Sequence, residues 1–77
     1  MDIELIKLEG IKRNLSSEIS GRMHRIKNCC VNADKENFQN MVSELDNMNK
    51  LISEIKILHN EYIDVNFKMK SLEKNNK

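Results

Sequence analysis

The chain has 77 residues, a net charge of +1, no proline, two glycines, two cysteines and three aromatic residues. That length allows one small domain, and the near-zero charge excludes a strong global attraction to nucleic acid or an anionic membrane. Turn signals every ten residues or so, which a β-sandwich or barrel requires, are missing.

Residues 3–30 carry Leu8, Ile11, Leu15, Ile19, Met23, Ile26 and Cys30 at steps of three and four. This is one face of an α-helix, and Leu5 continues it toward the start. Asp2 and Glu4 lie near the positive end of the helix dipole, and Arg22, Arg25 and Lys27 near the negative end. Gly10 and Gly21 interrupt this first helix, each at a cost of roughly 1 kcal/mol relative to alanine.

Residues 31–35 hold the polar turn. In it Asn32 or Asp34 is expected to cap the next helix through a side-chain oxygen. Residues 36–72 carry a second stripe: Phe38, Met41, Leu45, Met48, Ile52, Ile55, Leu58, Tyr62, Val65, Met69 and Leu72. A heptad register with Met41, Met48, Ile55, Tyr62 and Met69 at d puts Leu45 and Ile52 at a, then meets His59 and Asn66. Leu51, Leu58, Val65 and Leu72 fall at g, so the seam is expected to drift and widen. The tail, 73–77, is polar and expected to fray.

A short connection places two helices antiparallel. The predicted fold is all-α: one domain, 1–77, folded as a two-helix antiparallel hairpin of coiled-coil type. Phe38 is expected to close the end of its core. The second helix is expected to outrun the first by about two turns, in a hairpin ~40 Å long. Net charge is +2 over residues 1–30, −4 over 31–64 and +3 over 65–77. An antiparallel pair of helices with opposite charge is favourable, although each exposed pair is worth only about 0–1 kcal/mol.

No apolar run approaches the ~18 residues of a membrane-spanning helix. The start, MDIELIKLEG, lacks the basic region, apolar block and cleavage site of a signal peptide. Two adjacent cysteines make no disulfide framework. A cytoplasmic location is the expectation.

Three features could carry chemistry. Cys29 and Cys30 are adjacent, so they point about 100° apart on a helix, without the C-x-x-C spacing of a zinc site. One buried thiol and one incidental neighbour is the reading. His24 and His59 lack a nucleophile or acid in a recognisable motif. The four lysines of residues 65–77 come without interleaved aromatics. No catalytic residue, cofactor or metal is assigned, nucleic acid and membrane insertion are not expected, and the protein is read as a non-enzyme.

The apolar stripes remain. Leu5, Leu51, Leu58, Val65 and Leu72 are more than one facing helix is expected to cover, so they are the candidate partner-binding residues. Met23, Met41, Met48 and Met69 suit an adaptable contact. Such a hairpin completes its core either with another protein or, as a homo-oligomer, with its own copy in a four-helix bundle.

The segments LEGIKRNL, DKENFQNM and LDNMNKLISEIKILHNEY, with the aromatic–Gln pair Phe38-Gln39 and the aromatic Tyr62, resemble the small co-chaperones of bacterial type III secretion, the YscE-like family. The resemblance covers roughly residues 5–62. It implies a cytoplasmic helical hairpin that binds a tetratricopeptide-like chaperone and helps to keep the needle subunit monomeric before export. Ile63 to Lys77 extend the second helix beyond the family pattern.

Overall fold

The computed structural model describes residues 3–75. Helix α1 spans Ile3–Asp34 and helix α2 spans Met41–Asn75, joined by a single tight turn. The two helices pack antiparallel along their length, so the fold is the all-α hairpin that the periodicity predicts. Asp2 lies outside the described residues, as do the last two residues of the predicted tail. The tail's start is helical, because α2 continues to Asn75.

The helices differ by three residues (32 against 35), so α2 does not outrun α1 by two turns. The molecule measures 60 × 16 × 13 Å, longer than expected, because both helices run nearly full length. Its radius of gyration is 17.5 Å, against about 11–12 Å for a compact chain of this size. The hairpin is a rod, and a rod of two helices encloses little. Among the described residues seven hydrophobic side chains are buried, all between 6% and 9% exposed, and none is fully enclosed.

The seam is more regular than the stripe predicted from sequence. In α1 the buried or half-buried positions are Leu5, Leu8, Lys12, Leu15, Ile19, Arg22, Ile26, Cys29 and Ala33. In α2 the seam positions are Met41, Glu44, Met48, Leu51, Ile55, Leu58, Tyr62, Val65, Met69 and Leu72, with Glu54 and Asn66 also half-buried beside them. Both series alternate steps of three and four without a break. Each pair of steps makes one heptad, which returns the seam to the partner helix. Met41, Met48, Ile55, Tyr62 and Met69 therefore sit at a, and Glu44, Leu51, Leu58, Val65 and Leu72 at d.

This corrects the predicted stripes. Ile11, Met23 and Cys30 are exposed, and Lys12, Arg22 and Cys29 take seam positions instead. Leu45 and Ile52 are likewise outside the seam, and the expected sideways drift does not occur. The reason is geometric. At about 100° per residue, three successive steps of four rotate a stripe by about 120°. Ile11 and Met23, joined by such steps, cannot both face one neighbour. The core cluster is Leu8, Leu15, Val65 and Met69, in the half of the rod away from the turn, flanked by Leu5, Leu58, Tyr62 and Leu72.

The connection also differs from expectation. Residues 31–34 continue α1, so neither Asn32 nor Asp34 caps α2. Lys35 is extended, and Glu36, Asn37 and Phe38 follow with φ of 54°, 57° and 65°. These three form one left-handed turn. The Phe38 amide donates to the Lys35 carbonyl at 3.1 Å, and the Gln39 amide to the Glu36 carbonyl at 3.3 Å. Asn40 then opens α2, its carbonyl accepting from the Glu44 amide at 3.0 Å; asparagine is favoured at that position. Phe38 projects from the turn, 55% exposed, and does not close the core.

Candidate protein-binding surface

A heptad hairpin has two long flanks, one on each side of the seam. Two local observations tell them apart. The Cys30 thiol lies 3.5 Å from the Met48 sulfur, at the edge of one flank. Cys29, one residue and about 100° away, is buried and lines a groove of about 400 Å³ on the other flank. That groove is shared with Arg25, Asn28, Asn32, Asn47, Lys50, Leu51 and Glu54. One thiol is buried and its neighbour is exposed, as expected.

The Arg25 flank is tied by charge at its middle, although Ile11 is open on it and Leu8, Phe67 and Leu72 line a groove at its open end. Arg22 leaves its seam position toward this side. Its Nε donates to Glu54 Oε1 at 2.9 Å across the two helices, and its Nη1 to the Glu18 carboxylate one turn back. Nη1 also reaches the Glu18 carbonyl at 3.2 Å. The hydrogen bonds to Glu18 and then Glu54 raise the Arg22 pKa above the ordinary arginine value, which keeps the guanidinium charged. Burial, and next the hydrogen bond to Glu44, pushes the Cys29 thiol up, which keeps it neutral.

The Cys30 flank is apolar in its turn-proximal half. Helical spacing from Cys30 places Met23 one heptad earlier on the same edge of α1. The matching edge of α2 carries Leu45 and Ile52, one heptad apart, next to Met48. Met23, Leu45 and Ile52 are 58%, 45% and 41% exposed, and Val42 stands beside them near the turn. Toward the open end this side becomes polar, in a shallow groove lined by Glu9, Lys12, Arg13, Ser16, Ser17, Ser20, Tyr62 and Met69. There the Lys12 ammonium sits 5.7 Å from the centre of the Tyr62 ring, a cation–π distance.

The candidate partner-binding residues from the sequence are placed differently. Leu51 and Val65 are buried, and Leu5, Leu58 and Leu72 are half-buried. All five lie in the seam between α1 and α2. The expectation that one facing helix could not cover them is corrected, since Leu51, Leu58, Val65 and Leu72 are the d positions of one unbroken heptad series. On the turn-proximal half of the Cys30 flank the open apolar side chains are instead Met23, Val42, Leu45 and Ile52, which sequence reasoning assigned to the core or passed over; Ile11, Ile57 and Phe67 are open elsewhere on the hairpin. The signal that separates the two sets is the perfect three-four alternation, which admits Glu44, Arg22 and Lys12 to the seam despite their charge.

His24 and His59 are exposed, and neither takes part in a hydrogen bond or ion pair among the described residues. No group of three or more His, Cys, Asp or Glu among the described residues is placed to hold a metal ion. No helix among them is long and apolar enough to cross a membrane. Comparison with known proteins finds no matching family model, no matching curated protein and no matching solved structure. What the fold and surface define is a two-helix antiparallel hairpin with one ion-paired flank and one flank that is apolar over its turn-proximal half.

Proposed function

We propose that this chain is a partner-completed helical hairpin that serves in the cytoplasm as a small co-chaperone of type III secretion. In this reading it binds a tetratricopeptide-like chaperone, and the pair helps to hold the needle subunit monomeric before export. The observation that carries the partner-binding part is the thin core beside an open apolar flank. Among the described residues no side chain is fully enclosed, while Met23, Val42, Leu45 and Ile52 stay open on one side. The secretion system itself rests on the resemblance of LEGIKRNL, DKENFQNM and LDNMNKLISEIKILHNEY to the YscE-like family.

The activity in this reading is mass action and involves no bond chemistry. A partner that binds only the folded hairpin stabilises it by RT ln(1 + [L]/Kd). Apolar surface covered at the interface contributes roughly 25 cal/mol per Å². A marginal hairpin and a marginal helical-repeat chaperone then each protect the other.

The test is a tagged pull-down from the native cell, with partners identified by mass spectrometry and the complex sized by light scattering. The expected result is a stoichiometric complex with a helical-repeat protein and a small needle-like subunit. Recovery of its own copies alone, at a multiple of 9.1 kDa, would replace this function with a self-assembling four-helix bundle.

A further inference from the structure

We propose that the Cys30 flank is the docking groove for an amphipathic helix of a different chain, one whose apolar stripe is bordered by Asp and Glu side chains. The proposal rests on the partner-binding reading above and adds the chemistry of the partner.

Four side chains make the floor: Met23 and Cys30 from α1, Leu45 and Ile52 from α2. The Cys30–Met48 sulfur contact joins the two sides at its base. The floor is open, with its Met, Leu and Ile side chains at least 41% exposed, and it runs parallel to both helices. A third helix laid there would pack on α1 and α2 together, at the usual interaxial distance of about 8–10 Å. Two sulfur-bearing side chains in the floor, and a third at its base, are polarizable and suit an adaptable fit.

The rim supplies the charge. The outer positions of this flank, read at heptad spacing, are Ile6, Arg13, Ser20, Lys27 and Asp34 on α1, and Val42, Asn49, Lys56, Ile63 and Lys70 on α2. Lys27 and Lys56 border the apolar floor on opposite sides. Along the whole rim only Asp34 opposes four cations, although the chain as a whole is nearly neutral. The inner row of this flank adds Glu9 and Glu73, both toward the open end and away from the apolar floor; the inner row of the other flank mixes the two signs along its length, with Glu18, Glu54 and Glu61 beside Arg25 and Lys68, part of it bound internally through Arg22.

This arrangement selects the occupant. A helix with carboxylates beside its apolar stripe meets Lys27 and Lys56 with opposite charge. A second copy docked face to face would bring the same cationic rim against itself, which like-charge repulsion opposes.

The probe is a pair of synthetic, fluorescently labelled helix-forming peptides of about twenty residues, roughly 30 Å long. Both carry leucine at helical spacing on one face; one borders that face with glutamate, the other with lysine. Fluorescence anisotropy with the full chain is expected to show the glutamate peptide binding at least about tenfold more tightly in dilute salt. The difference should shrink in roughly 1 M salt, where the screening length is about 3 Å. The double variant Lys27→Glu, Lys56→Glu should reverse the preference. Ile52→Asp should remove binding of both peptides while circular dichroism shows an unchanged hairpin, and Leu45→Asp serves the same purpose should Ile52→Asp alter the fold.

Equal binding of the two peptides, or a preference that survives the charge reversal, overturns the proposal. So does light scattering that shows a dimer dissolved by Ile52→Asp, because the groove would then be filled by a second copy. The secretion reading fails separately. A chain that passes every peptide test yet retains no helical-repeat chaperone keeps the groove and loses that function. A chain that still retains the chaperone after Ile52→Asp keeps the function and loses the groove.

Discussion

Arg22 and Glu54 face each other across the two helices, with the guanidinium Nε 2.9 Å from a carboxylate oxygen. Arg22 stands where the heptad calls for an apolar side chain, between Leu15 and Cys29 in the α1 seam. Both partners retain solvent contact, so the pair adds little to stability. A leucine there would bury apolar area against α2 that the arginine leaves wet. Arg22→Leu is expected to raise stability by about 1 kcal/mol in urea denaturation. A lower midpoint in the variant would mean that the ion pair contributes more than the seam position.

Leu51 and Ile52 test the phase of the heptad, because they are adjacent and differ little in hydrophobicity. Leu51 is 6% exposed and Ile52 is 41% exposed. Leu51→Ala is expected to cost about 2–3 kcal/mol. Ile52→Ala should stay within roughly 0.5 kcal/mol. Equal losses in thermal denaturation would show the seam to be wider than described.

Gly10 and Gly21 lie within α1, and a Cβ built at either meets nothing within 4 Å. Each therefore carries the backbone entropy cost of glycine without a packing reason for it. Gly10→Ala and Gly21→Ala are each expected to add about 1 kcal/mol. For a domain of this size that is a rise in Tm of about 4–8 °C per substitution. No change would indicate that α1 is frayed at these positions rather than held as continuous helix.

The turn should respond in the same direction. Glu36 holds a φ of 54° without being glycine, a conformation that costs an L-residue roughly 1–2 kcal/mol. Glu36→Gly removes that cost and adds entropy to the unfolded chain, about 0.4–1 kcal/mol the other way. The expected net effect is a stabilisation of several tenths of a kcal/mol or more, read by calorimetry. Destabilisation would argue against the left-handed geometry.

Cys29 sets the pH dependence. Its thiol is pushed above the ordinary value, first by burial and then by Glu44. The unfolded chain loses that proton near pH 8.5, while the folded chain still holds it. The folded state then binds more protons, so stability is fully present below about pH 8.5 and declines as pH rises toward the folded pKa. Urea midpoints should fall above that pH for the natural chain and stay flatter for Cys29→Ala. Cys30, exposed on the other flank, should react first with a thiol-specific reagent.

Much of the fold was legible in the sequence, and the reasons are local. Long stripes at helical spacing, no proline and one polar break between Cys30 and Met41 leave a hairpin as the simple arrangement. The phase of the stripe was harder to read, because the side chains themselves mislead. Ile11, Met23, Leu45 and Ile52 are apolar and sit outside the seam, whereas Lys12, Arg22 and Glu44 are charged and sit within it. Hydrophobicity alone prefers the first set. Regular heptad geometry, with a cation–π contact for Lys12 and an ion pair for Arg22, prefers the second. The candidate partner-binding residues fall in the seam for the same reason, since choosing the other phase exchanged the seam residues Leu51 and Val65 for the open Leu45 and Ile52. The turn was misplaced because Asp34 reads as a cap, yet α1 continues through it and Asn40 opens α2.

The left-handed turn at Glu36–Phe38 bears on more than the shape of the hairpin. It is a short hinge under conformational load, and such hinges favour exchange of elements between chains. Were the backbone to straighten there, the three residues would leave their unfavourable conformation together. Two straightened chains laid antiparallel could rebuild every α1–α2 contact in trans, with Leu8 and Leu15 of one chain meeting Val65 and Met69 of the other. The same six residues of connection that close this molecule on itself thus set the balance between a folded hairpin and an interlocked pair of long rods.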